Sequence, residues 1–209
     1  MKLAEMTVNA FVKELGAVSP APGGGSVAAL CGSLSAALCA MVARLTIGRE
    51  KHKDSWEAMA PVVKKADDLA RRLIQLVDED TRAYIQVMEA MRMPRKTDNQ
   101  KADRKAAIDQ AQRHAADVPL DTLRTVSSLV DFIPEVVEKG NPNCITDAGT
   151  AVLLTRAAAY AAAYNVRINL GGIHDQVFVV KCNQEVKLIL ERINAVVTVL
   201  EEKVWSAFG

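Results

Sequence analysis

The sequence predicts an all-α protein, an antiparallel up-and-down bundle of about five to six helices, some of them long and bent. Three observations carry that expectation. Alanine occurs 32 times in 209 residues, aromatic residues make up only 4%, and apolar positions recur at steps of three and four over long stretches. Alanine, leucine and charged side chains favour helix, whereas strands draw on aromatic and β-branched residues. Half of the chain is hydrophobic and 24% is charged, which suits one domain, residues 1–209, with a sizeable core.

The elements follow in order. A first short helix is expected from about Thr7 to Ala17 with Thr7 as its cap. Ser19 to Gly25, SPAPGGG, breaks it, and the next helix starts at Ser26 and ends near Ile47, before Gly48. From Ser26 to Ala43 this helix carries no charge for 18 residues, close to a bilayer span. Ala, Ser, Gly and Cys dominate it, however, and small residues let helices approach closely, so it reads as a helix buried among others.

After the polar run Arg49 to Lys53, a helix is expected from Asp54 or Ser55 to about Met93, with Pro61 kinking it or marking where its regular part begins. Val62, Ala66, Leu69, Leu73, Val77, Tyr84, Val87 and Met91 form its stripe, the seam of an antiparallel bundle, and Asp80 falls on that stripe. A third helical region runs from Thr97 or Asp98 to Gly140, bent at Pro119 and Pro134. Beyond the NPN loop, Thr146 or Asn143 is expected to cap a small-residue helix that lies against the Ser26 helix and ends at Gly171 and Gly172. The last helix, His174 to about Ser206, carries Val177, Val180, Val186, Ile189, Ile193, Val196, Val199 and Leu200 on one side.

Several classes of function are excluded by composition. A net charge of +1 and a pI near 7.7 lack the basic excess of a nucleic-acid-binding surface. Cys31, Cys39, Cys144 and Cys182 are scattered, with no CxxC pair, and read as small buried hydrophobes in a reducing compartment. The first fifteen residues lack the apolar core of a signal peptide, so the expected location is the cytoplasm. His52, His114 and His174 show neither HExxH spacing nor a triad partner, which points away from metal and nucleophilic catalysis.

A few polar residues remain that carry chemistry. Three glycines before a helix leave N–H groups free at its positive end, although no Walker lysine follows; the simpler reading is a tight turn with positive φ and close helix contact. Asp80, on an apolar stripe, must be paired, hydrogen-bonded or protonated, either as a functional group or bonded to a neighbouring helix. Asp147 lies in a first helical turn, where the dipole alone favours it. Asn165 and Asn169 share a helix face among small residues, with Asp175 nearby, and suggest a pocket wall. The basic run from Arg49, including Lys51, is an ordinary solvated loop or a site for a carboxylate tail.

PAPGGGSVAAL (Pro20 to Leu30), LTIGR (Leu45 to Arg49), DEDTRAYIQVMEA (Asp78 to Ala90), GNPNCITDAGTA (Gly140 to Ala151) and NVRINLGGIHD (Asn165 to Asp175) occur in that order. With these motifs the chain resembles the cyclodeaminase/cyclohydrolase family, which joins formiminotetrahydrofolate cyclodeaminase domains and stand-alone methenyltetrahydrofolate cyclohydrolases. The resemblance implies a homodimeric helical bundle, a folate substrate, no cofactor beyond that tetrahydrofolate and no metal. It implies cyclodeamination of 5-formiminotetrahydrofolate to 5,10-methenyltetrahydrofolate and ammonia, or alternatively opening of the methenyl bridge to 10-formyltetrahydrofolate. A third reading is a non-catalytic helical interaction module. By the motifs, Gly23, Gly24, Gly25 and Ser26 resemble a substrate-cradling turn, and Asp80 and Asp147 its motif aspartates. Asn165, Asn169 and Asp175 match the motif near the far end. The roles expected are Asp80 as proton shuttle or charge stabiliser, Asp147 or Asp175 on the pterin, and Arg49 and Lys51 near the glutamate tail. Two departures stand out: Glu50 and His52 follow LTIGR where the family has a lysine run and a tyrosine, and Thr146 stands where it commonly has Ser.

Overall fold

The computed structural model describes residues 2–209, and among them every regular element is helical: α1 (Val8–Leu15), α2 (Gly24–Ile47), α3 (Trp56–Arg92), α4 (Asp98–Ser127), α5 (Ile133–Lys139), α6 (Ile145–Leu170) and α7 (Gln176–Ser206), with 3₁₀ turns between some of them. The centre is α2. Its neighbours α3 and α6 run antiparallel to it, as the paired contacts show: Ser33 reaches Ala70 and Ser26 reaches Val77 on α3, while Ser35 reaches Ala151 on α6. Ser33 and Ser35 each donate to a carbonyl of the facing helix, and Ser26 Oγ lies 3.0 Å from one, so the backbones are held close together. Gly32 has the same effect, because a Cβ there would stand 2.9 Å from Val126 and 3.2 Å from Leu73. The span long and apolar enough to cross a membrane is this helix, and its alanines at 28, 29, 36, 40 and 43 are fully buried in the core.

Thr7 caps α1 through the Ala10 N–H, as its position predicts. Helix α4 opens with a capping box formed by Thr97 and Gln100. Helix α3 continues without a break through Pro61.

Four local expectations need correction. The second helix starts at Gly24, two residues before Ser26, so the glycine run forms the helix's first turn. The third region is two helices: α4 ends at Ser127, a 3₁₀ turn spans Ser128–Asp131, and α5 begins at Ile133 with Pro134 in its first turn. Proline is well suited there because its missing N–H would lack a helical partner anyway; Pro119, by contrast, lies buried inside α4. Neither Thr146 nor Asn143 caps α6. Asn141 holds that corner instead, its side chain accepting the Asn143 N–H while its own N–H donates to Thr46 Oγ1. Finally, α7 begins at Gln176, and Val177, Val180 and Val199 of its expected apolar side are 80%, 52% and 50% exposed. Val186, Ile193, Val197 and Leu200 form the buried line at helical spacing.

Candidate active site

The N-terminus of α2, the middle of α3, part of α4 and the end of α6 enclose a cavity of about 420 Å³, lined by Gly23, Gly24, Gly25, Asp80, Asn165 and Asn169 among others. The glycines are required here for space: a Cβ on Gly25 would lie 2.0 Å from Asp80 Oδ1, and one on Gly24 would lie 3.2 Å from the Asn165 amide. Left-handed backbone is not the reason, since Gly209 is the one glycine with positive φ among the described residues. The Asp80 carboxylate therefore lies directly over the first turn of α2.

Asp80 is half-buried. Its Oδ2 accepts from the Ser26 hydroxyl at 2.9 Å, the Ser26 backbone N–H also donates to the carboxylate, and no side chain among the described residues donates to Oδ1. Burial raises its pKa above the usual carboxylate value, opposed by the hydroxyl and backbone amide of Ser26, which lower it. Ser26 itself is fully buried behind Asp80. On the opposite wall, Asn165 donates its amide to the Ala161 carbonyl and Asn169 donates to Ala115 on α4. Neither side-chain carbonyl oxygen accepts a hydrogen bond from the described residues.

Sequence reasoning did not single out three further lining groups, Gln112, Tyr84 as a polar group, and Ile168. A signal for Gln112 existed in Gly172, where a Cβ would lie within 2.9 Å of the glutamine amide carbon, but contact across helices is not visible in the chain. Among the described residues, no Lys, Arg or His lines this cavity.

The other expected residues stand elsewhere. Arg49 and Lys51 follow the opposite end of α2, a helix of 24 residues, so roughly 35 Å separates them from the glycine turn at about 1.5 Å per residue. Asp147 occupies the first turn of α6 at that same far end. It and Arg49 act in opposite directions on Cys144, whose thiol is raised by burial and by Asp147 and lowered by Arg49. Asp175 caps α7, accepting the N–H groups of Val177 and Phe178, and pairs with Arg113 at 3.0 Å. These bonds, the Phe178 N–H foremost, hold its pKa below the ordinary value. Asp175 lines a separate small crevice with Asp109 and Arg113.

The model of the formiminotransferase-cyclodeaminase family matches residues 7–188. The chain belongs to that family. A methenyltetrahydrofolate cyclohydrolase of Methylorubrum extorquens is 38% identical over 200 residues, covering 96% of this chain and 94% of that protein. The formimidoyltransferase-cyclodeaminases of Mus musculus and Gallus gallus are each 34% identical, over 90% and 96% of this chain. The chain spans only 35% and 38% of their lengths. Among solved structures, formiminotetrahydrofolate cyclodeaminase from Thermotoga maritima has the same fold, with a TM-score of 0.89 over the whole of both chains at 24% identity.

Proposed function

We propose that this member of the formiminotransferase-cyclodeaminase family is a one-carbon folate enzyme that closes the N5–N10 bridge, a formiminotetrahydrofolate cyclodeaminase. N10 attacks the carbon of the protonated formimino group on N5, the N10 proton passes to the departing NH2, and the C–N bond breaks to give ammonia and the cationic methenyl bridge. The cavity's carboxylate is suited to that transfer. The observation that carries the reading is the Asp80 carboxylate, held over the first turn of α2 in a cavity whose other polar groups are neutral. A base raised toward neutrality by burial takes and returns a proton efficiently, and its negative charge stabilises the cationic amidinium. The free carbonyl oxygens of Asn165 and Asn169 and the amide of Gln112 suit the donors and acceptors of a pterin ring. Nothing in this scheme calls for a metal or a cofactor besides the folate.

A second reading, methenyltetrahydrofolate cyclohydrolase, is favoured by the 38% identity to a protein of that name over nearly its full length. There, Asp80 would take a proton from the attacking water. The two readings are separated by supplying 5-formiminotetrahydrofolate and methenyltetrahydrofolate in turn and following the methenyl absorbance. Gain with release of ammonia identifies a cyclodeaminase, and loss with the second substrate identifies a cyclohydrolase. Flat traces in both overturn the enzymatic reading and leave an interaction module.

The reading extends to a homodimer. Helices α2 and α6 turn a nearly uncharged face outward, with Leu34, Leu153, Tyr164 and Ile168 exposed by 48%, 58%, 65% and 76%. A folate carries a glutamate carboxylate tail, but no cationic side chain among the described residues lines the cavity. Pairing two copies across this face, about a two-fold axis perpendicular to the helices, brings the end of one protomer that carries Arg49, Lys51 and Asp147 toward the other's cavity. Such a composite site reconciles the five sequence motifs with their separation within one chain.

A further inference from the structure

We propose that Ser26 is a positioning residue for proton transfer at Asp80: by donating its single hydroxyl proton to Oδ2, it leaves Oδ1 as the oxygen that takes and returns the substrate's proton. The inference rests on the reading of Asp80 as the group that moves that proton, and its geometry stands apart from the identity of the substrate.

Ser26 Oγ lies 2.9 Å from Asp80 Oδ2, 3.0 Å from the Val77 carbonyl and 3.4 Å from Thr81 Oγ1. A hydroxyl has one proton, so it cannot donate to both Oδ2 and the carbonyl at once. The Val77 carbonyl lies inside α3 and has the Thr81 N–H as its helical partner. An ionised acceptor makes the stronger bond. The hydroxyl proton is therefore directed to Oδ2. That bond disfavours protonation of Oδ2, and Ser26, fully buried in the first turns of α2, cannot move away without repacking. On the other side Oδ1 lies above the Cα of Gly25, where the missing Cβ makes room for it. Oδ2 is thus anchored by the Ser26 hydroxyl, while no side chain among the described residues donates to Oδ1, on a carboxylate that lines the cavity.

Burial aside, the surroundings leave Ser26 as the main local influence on this carboxyl, through its hydroxyl and its backbone N–H. Helix α2 contributes no titratable group to the cavity, α4 contributes Gln112, and α6 contributes Asn165 and Asn169. On α3, Tyr84 is the other titratable group lining it, Asp78 accepts the Leu3 N–H, Glu79 is held by Arg72, and Arg82 is exposed.

The test is a site-resolved titration of the Asp80 carboxyl by carbon NMR in the full-length protein without substrate, comparing wild type with Ser26→Ala and Ser26→Cys. The thiol of the cysteine variant fills the same space but donates weakly. Both variants are expected to titrate at higher pH than wild type, because the ionised form loses its donor. The acid limb of the pH–rate profile moves with it, so that kcat on that limb falls about tenfold with KM little changed. In an Asp80→Asn background the same serine substitution has no further effect on rate. An unmoved Asp80 midpoint in a folded Ser26→Ala protein overturns the proposal, as does a cysteine variant that titrates like wild type. Inactivity of the wild type toward every folate together with a shifted midpoint would refute the folate reading alone.

Discussion

Replacing Asp80 by Asn separates a catalytic carboxylate from a structural one, because the structure gives the two roles opposite consequences. The amide keeps an acceptor within reach of the Ser26 hydroxyl, now 2.9 Å from Oδ2, and has nearly the size of the carboxyl it replaces. It also removes the burden of burying a charge. Burial raises the pKa of Asp80 in the folded protein, so its ionisation opposes folding: stability conferred by the protonated form is present below the unfolded pKa and lost as pH rises through the folded one. At neutral pH the Asn variant is therefore expected to be as stable as wild type or more so, by up to about 1 kcal/mol, and the gain disappears in acid. Asp80→Ala loses the acceptor, but the Ser26 hydroxyl turns to Val77 O, 3.0 Å away. Its stability loss should stay near 1 kcal/mol, the net worth of one hydrogen bond. The rate behaves differently. Loss of a positioned acid–base group lowers turnover by about 10²- to 10⁴-fold. Urea unfolding at pH 7 and pH 4 gives the stabilities, and methenyl absorbance gives kcat. An Asn variant that keeps kcat within threefold of wild type while unfolding 2 kcal/mol more easily would show that Asp80 serves as a cross-helix cap for α2, and the mechanism would have to be abandoned.

Three more outcomes follow from the same geometry. Gly25→Ala places a Cβ 2.0 Å from Asp80 Oδ1, so the carboxylate or the helix must shift; a stability loss of about 1–3 kcal/mol by overpacking and a loss of activity of about 10²-fold by displacement are expected, and a wild-type melt with wild-type kcat contradicts the close approach. Leu34→Glu puts a charge in the centre of the α2/α6 face, where Leu34 is 48% exposed; light scattering should show a wild-type dimer reduced to monomer, and mixing inactive Asp80→Asn and Arg49→Ala chains should restore part of the activity through composite sites, whereas a monomeric active wild type refutes the pairing. Asp175→Asn keeps a capping side chain but removes the charge that pairs with Arg113. Because the folded pKa of Asp175 is lowered, its charge stabilises above the usual value of 3.8 and the benefit is lost as pH falls through the folded pKa. The variant's melting temperature should be lower than wild type at pH 7 and equal to it at pH 2, and a gap that persists in acid would assign the loss to the cap alone.

What could be read in the chain was whatever lies on one helix. The stripe Val62, Leu73, Val77 places Asp80 on a buried face because a helix's period fixes which side chains share a side. Asn165 and Asn169 share a wall for the same reason, and both line the cavity. What could not be read depends on contact between helices. Gly24 and Gly25 read as a tight turn with positive φ and close helix contact; the contact is present without the positive φ, but the groups that make it, the carboxylate of α3 and the amide of α6, show only in the fold. Asn141 gives no local signal beside Asn143 and Thr146, since its bonds to Thr46 Oγ1 and Leu45 O bridge residues nearly a hundred positions apart. Asp175 has the composition of a site residue, yet the adjacent start of α7 and Arg113 on α4 use its oxygens. Val177, Val180 and Val199 fit a helical repeat but not the face that the neighbouring helices cover, a distinction periodicity alone does not make.

The alanine excess connects fold and chemistry more directly than any single motif does. Side chains of one carbon at positions 28, 29, 36, 40 and 43 of α2 and at 151, 158, 159, 162 and 163 of α6 are buried to within 2%, so these helices can pack backbone close to backbone. At that separation a serine hydroxyl on α2 reaches a main-chain carbonyl of α3 or α6, as Ser26, Ser33 and Ser35 do. A glycine at position 25 then lets the Asp80 carboxylate rest on the first turn of α2. Longer side chains along the seam would move α3 outward, and a shift of 1 Å at Asp80 would carry its carboxylate away from the Ser26 hydroxyl. Enlarging Ala29, fully buried on α2 one turn beyond Ser26, to Val should therefore reduce kcat more than its effect on stability predicts, because spacing between helices sets the geometry of proton transfer. A loss of stability without a change in kcat would mean that the site tolerates such movement, and the dependence of chemistry on close packing would not hold.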